Sequence, residues 1–137
     1  MMTAKEYLSQ VRHLGSLIDS RMRELDYWRE MSMKISGSNF EPHYNPNNPT
    51  ESKFARSIEK IDEIQRDIND RIVYLVSVRE KINGAIDRLG NQDEQLVLRY
   101  RYLDNFTWEE IGNMMNLSER TIFRIHGHAL SHFSVPN

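Results

Sequence analysis

From Phe54 to Leu89 the apolar side chains recur at alternating steps of three and four: Phe54, Ile58, Ile61, Ile68, Ile72, Leu75, Ile82, Ile86 and Leu89, with Gln65 and Arg79 filling two positions of the same line. A strand alternates every two residues and cannot satisfy this period, so the segment is read as one long helix with a coiled-coil-like seam. A seam of that length needs a partner. Upstream, Leu8, Val11, Leu14, Ile18, Met22, Leu25, Trp28, Met31 and Ile35 repeat the helical period from Thr3 to about Ile35, which makes roughly 45 Å of helix at 1.5 Å per residue. Between the two lies SGSNFEPHYNPNNPT, residues 36–50, rich in Pro and Asn, which breaks helices and is expected to be a loop.

Two single-stripe helices joined by a loop are expected to close as an antiparallel hairpin, stripe against stripe. The isoleucine-rich line would bury more surface in a four-helix arrangement, which points to a homodimer through the hairpin with Gln65 and Arg79 setting register. The other reading is an intramolecular strut, with those two side chains snorkelling at its edge.

The heptad stops at Gly90 and Asn91, and a different pattern begins. Gln92 to Leu103 reads as a short helix with Leu96, Val97, Tyr100 and Leu103 on one face, ended by Asp104 and Asn105. Thr107 is expected to cap the next helix, with Glu110 completing a capping box and Phe106 and Ile111 at the spacing of a hydrophobic staple. That helix, Trp108 to about Met115, turns Trp108, Ile111 and Met115 inward, and Gly112 is read as the place where a second helix crosses close by. Asn116 tolerates a left-handed turn, and Ser118 is a second cap. On the final helix Ile122, Ile125, Ala129 and Phe133 form the apolar face, while Arg120, Arg124 and His128 line the opposite one. The fold class is therefore all-α: residues 1–90 a helical hairpin, residues 91–137 a helix-turn-helix unit.

Composition sets the limits on function. The chain has no cysteine, which removes disulfides, thiolate metal sites and thiol nucleophiles and fits a reducing compartment. No apolar run is long enough to span a bilayer and the start carries no secretory pattern, so a cytoplasmic address is expected. Neither a phosphate-binding glycine loop nor a nucleophile elbow or metalloprotease pair occurs, and no enzyme activity and no cofactor are expected. The formal charge of −2 runs against the basic excess usual in nucleic-acid binders, but from Arg120 onward there are two arginines, three histidines and no acid. His126, His128 and His132 are read as phosphate or solvent contacts rather than metal ligands, because neither a cysteine nor a carboxylate shares their turns. Trp108 and Tyr100 are assigned to the small core rather than to base stacking.

The run from Asp93 to Phe133 resembles region 4 of bacterial sigma factors. The resemblance rests on Leu98, Arg101, Tyr102, Thr107, Glu109, Glu110, Ile111, Gly112, Ser118, Ile122, Ile125, Ala129 and Leu130. It implies a unit that binds double-stranded DNA, with the promoter-reading positions falling on Glu119, Arg120, Thr121, Phe123 and Arg124, beside Ser118 at the cap and His128 further along the same face. Glu119 and Phe123 stand where that family usually has basic residues, so a target other than an ordinary −35 element is implied. A hairpin ahead of such a unit looks like the ArpU-type phage and prophage regulators of Gram-positive bacteria, which implies control of late phage genes. Two further readings are a small terminase-like packaging component and an interaction protein that contacts RNA polymerase through the sigma-like unit.

Overall fold

The computed structural model describes residues 1–37 and 49–137. Every regular element among them is helical: α1 spans Ala4–Gly37, α2 Pro49–Asp87, α3 Gln92–Leu98, α4 Trp108–Met115 and α5 Glu119–His132, with a π-helical turn over Arg99–Leu103. The all-α class and the two long helices ahead of a small helical unit are as expected. Most of the expected loop at 36–50 falls on residues 38–48, outside the described residues.

Packing divides the chain into two compact units, one of Met1–Gly15 with Tyr74–Asn137 and the other of Ser16–Val73. These limits differ from a boundary at residue 90 because the last turns of α2 share a core with α3, the π-helical turn and α5. In the first unit Leu8 and Val11 of α1 pack with Val78, Ile82, Ala85, Ile86 and Leu89 at the end of α2, and the same cluster takes in Leu98, Tyr102, Leu103, Ala129 and Phe133. A second cluster joins Val97, Ile111 and Ile122, with Tyr100, Phe106, Trp108 and Met115 at its edge. Tyr100 and Trp108 thus pack against this core, each partly buried. Leu96, expected inside, is 37% exposed, whereas Leu98 and Tyr102 are buried. The π-helical turn accounts for this change of face: Asp104 N–H bonds back to the Arg99 carbonyl, five residues away, so the turn after Leu98 is wider than an α-helical one.

The second unit has a thinner core of Leu25, Ile64 and Ile68 flanked by Trp28 and Ile61. Arg21 and Arg71 both donate through Nε to the same Asp67 oxygen at 2.8 Å, and Arg21 also reaches Glu24 at 2.8 Å. The two guanidiniums hold the Asp67 carboxyl below its ordinary range, Arg71 contributing first.

The seam of α2 is displaced from the expected line. Ile61, Ile68, Leu75, Ile82, Ile86 and Leu89 of that line face inward, but so do Ser57, Ile64, Val78 and Ala85, while Ile58 and Ile72 are 45% and 42% exposed. Gln65 is exposed. Arg79 donates to the Leu103 carbonyl at 3.1 Å, so it ties α2 to the π-helical turn. On α1 the expected stripe is buried at Leu8, Val11, Ile18 and Leu25, with Met22 exposed.

Candidate nucleic-acid interface

Two capped helices and one left-handed residue fix the C-terminal unit. Thr107 Oγ1 accepts from Glu110 N–H at 3.2 Å and Glu110 Oε1 accepts from Thr107 N–H at 3.3 Å, the reciprocal capping box that satisfies two donors at the start of α4. α4 ends at Asn116 with φ 56° and ψ 42°, and the next amide, Leu117 N–H, bonds the Gly112 carbonyl at 3.0 Å. This 6→1 bond belongs to the Schellman type of helix end. Gly112 serves that end: a Cβ there would lie 2.9 Å from the Leu117 carbonyl oxygen. The close approach is by the turn's own backbone and not by a crossing helix. Ser118 then caps α5, its Oγ accepting from Thr121 N–H at 3.2 Å and lying 2.9 Å from Thr121 Oγ1. The turn between helices is therefore short and locally determined.

The same turn sets which side of α5 is free. Ile122, Ala129 and Phe133 are buried and Ile125 is half-buried, whereas Arg120, Arg124, Gly127, His128 and Ser131 are exposed. Of the residues expected at a DNA interface, Ser118 is engaged as the cap, Glu119, Arg120, Arg124 and His128 are exposed, and Thr121 is half-buried against the cap. Phe123 is 48% exposed, with its ring 5.0 Å from that of Trp108. Neither Arg120 nor Arg124 has a carboxylate or hydrogen-bond partner among the described residues. Arg124 and His128 share a shallow cleft with Asp93 and Glu94, so one flank of this face is acidic.

Residues 85–132 match the family model for sigma-70, region 4. This stretch is a sigma region 4-like helix-turn-helix. The match begins inside α2, at residues that pack in the first unit's core, and runs to the end of α5. No curated protein and no solved structure matches the chain.

Within the sigma region 4-like unit the three histidines go to different partners. His126 is half-buried, stacks on Tyr102 and shares a 2.7 Å hydrogen bond between its Nε2 and the Tyr102 hydroxyl. Burial, with Lys5 and Arg101 adding to it, pushes its pKa down to about 4, so near pH 7 the ring is neutral. His132 Nδ1 meets both oxygens of the buried Glu94 at 2.8 and 3.1 Å, tying α5 to α3. His128 remains exposed. No group of three His, Asp or Glu side chains among the described residues is placed to hold a metal ion. Arg101 sits 4.3 Å over the Trp108 ring and donates to the Phe106 carbonyl at 3.1 Å, so it braces the entry to α4 from outside the α5 face. No helix among the described residues is long and apolar enough to cross a membrane.

Proposed function

We propose that the chain is a sequence-specific DNA-binding regulator of transcription that enters the major groove with α5. The observation that carries this reading is the pair Arg120 and Arg124, unpartnered among the described residues on the free side of a helix held by a cap at its start and a locked turn behind it. An unpaired guanidinium presents a planar fork that fits guanine O6 and N7 in the major groove, and two of them one turn apart cover adjacent base pairs. The amino end of α5, at Ser118 and Glu119, faces a phosphate favourably through its backbone N–H groups. Thr121 and Phe123 offer a methyl and a ring to thymine, Glu119 accepts from cytosine N4, and His128 reaches a phosphate. Acidic Glu119 and apolar Phe123 give this face a target different from one read by a uniformly basic helix.

The genomic setting proposed is control of phage or prophage late genes, which the hairpin-plus-helix-turn-helix arrangement implies by its resemblance to ArpU-type regulators. A homodimer through α2 belongs to the same proposal and is supported by Ile58 and Ile72, apolar yet left at the surface. RNA polymerase is the second partner proposed, since the match is to a sigma segment.

Arg124→Ala tests the face. Its affinity for the preferred duplex falls by about 1–3 kcal/mol and preference relaxes at one base pair, with the circular dichroism spectrum unchanged. A footprint identical to that of the wild type contradicts the assignment.

A further inference from the structure

Outside the α5 face, a cleft of about 200 Å³ is lined by Lys5, Ser9 and Arg12 of α1 together with Arg101, Asn105 and Trp108. Lys5, Ser9 and Arg12 follow at steps of four and three, so one face of α1, beside the buried Leu8 and Val11, presents all three polar groups to the cleft. No carboxylate lines it, and none of Lys5, Arg12 and Arg101 has an ion-pair partner among the described residues. The charge is felt by its neighbours: Lys5 and Arg101 add to the burial that lowers His126, and Arg101 and Arg12 pull against the burial that raises Tyr102.

Three cations gathered without an anion repel one another, so the arrangement favours a ligand of negative charge. An ammonium, the Arg12 guanidinium fork, the N–H groups of Arg101 not given to the Phe106 carbonyl, a hydroxyl and an amide around a space of this size suit the tetrahedral oxygens of one phosphate group. The cleft also adjoins the reading helix. Its Trp108 wall carries the Phe123 ring at 5.0 Å, and Phe123 precedes Arg124 on α5. A helix about 10–12 Å across fills a major groove about 12 Å wide, so groups immediately beside it meet the sugar-phosphate wall.

We propose that this cleft holds a backbone phosphate of the duplex that α5 reads, so that the first turns of α1 form part of the DNA interface. The inference rests on the proposed function. It also shows how a chain of net charge −2 can gather positive potential where a strand passes.

The test uses the full chain with Lys5→Gln and Arg12→Gln together, both exposed positions on a helix, against a preferred and a scrambled duplex at several salt concentrations. The expected result is a loss of about tenfold on both duplexes, an unchanged ratio between them and a salt slope lower by about one. Ser9→Asp, which sets a carboxylate among the cations, gives the same pattern without removing one. Arg124→Ala, run alongside, lowers the ratio instead. Unchanged affinity and slope in the cleft variants, while the wild type still discriminates between duplexes, overturn the inference and leave the proposed function standing. A wild type that binds neither duplex overturns both. Titration with inorganic phosphate, followed by the indole signal of Trp108 in a Trp28→Phe background, distinguishes the source: saturation that a bound duplex does not relieve assigns the cleft to free phosphate and overturns the inference. Loss of RNA polymerase binding with duplex affinity intact also overturns it, in favour of a protein carboxylate.

Discussion

The two compact units are held by different means. In the unit of Met1–Gly15 and Tyr74–Asn137, two apolar clusters draw on every helix and leave Leu8, Ile82, Ile86, Leu98, Ile111 and Ile122 with almost no exposure. In Ser16–Val73, the small cluster of Leu25, Ile64 and Ile68 and the Arg21–Asp67 ion contact join α1 to α2, with Arg71 supporting Asp67 from within α2. Burial of apolar surface outweighs exposed ion pairs in water, so the first unit is the stable platform and the second the softer element. The side chains proposed to meet DNA all stand on the platform, where a reading helix needs precise placement.

The largest expected effect compares the cores directly. Ile82→Ala, at a site with no exposure, costs about 3–5 kcal/mol, and Ile68→Ala, in the thinner core that can collapse around the gap, costs about 2 kcal/mol. Urea denaturation of the two variants checks it, and equal losses would break the distinction. Next comes the pH response of His126, which belongs only to the platform. Its folded pKa of about 4 lies below the ordinary 6.5. Below pH 6.5 the unfolded chain therefore takes up a proton that the folded chain refuses, and stability falls as pH drops toward 4, by up to about 3 kcal/mol. In His126→Gln that part of the slope between pH 6.5 and 4 disappears, as paired urea titrations would show. Gly112→Ala costs about 1–3 kcal/mol because the new methyl meets a backbone carbonyl at 2.9 Å, and thermal unfolding reads the loss. The smallest effect lies in the softer unit. Asp67→Asn lowers stability slightly near neutral pH, and its difference from wild type shrinks in about 1 M salt and as pH falls below the carboxylate range.

The helix-turn-helix is legible in the sequence because its signals are local. Thr107 with Glu110, Asn116 and Ser118 each determine a bond or a backbone angle within a few residues of themselves, and each is found doing so. The long helices are legible as helices but not in their facing. The line through Ile61, Ile68, Leu75, Ile82 and Leu89 is flanked on one side by Ile58, Gln65, Ile72, Arg79 and Ile86 and on the other by Ser57, Ile64, Arg71, Val78 and Ala85. Both flanks mix apolar and polar residues, and tertiary packing takes Ser57, Ile64, Val78 and Ala85 from one and Ile86 from the other. The π-helical turn at Arg99–Leu103 has no sequence signature to set it apart from continued α-helix, so an unbroken helical period puts Leu96 inside when it is in fact exposed. Lys5, Ser9 and Arg12 carry no site signal in the sequence, since the partners that turn their face into a cleft lie some ninety residues away at Arg101 to Trp108.

The central claim is that the exposed side of α5 reads duplex sequence. Selection of bound duplexes from a random library by the full chain, repeated with Arg120→Ala and Arg124→Ala, measures it most directly. One enriched motif is expected for the wild type, with guanine preference lost at one position in each variant. Recovery of no motif by the wild type, or of the same motif by all three proteins, would contradict it.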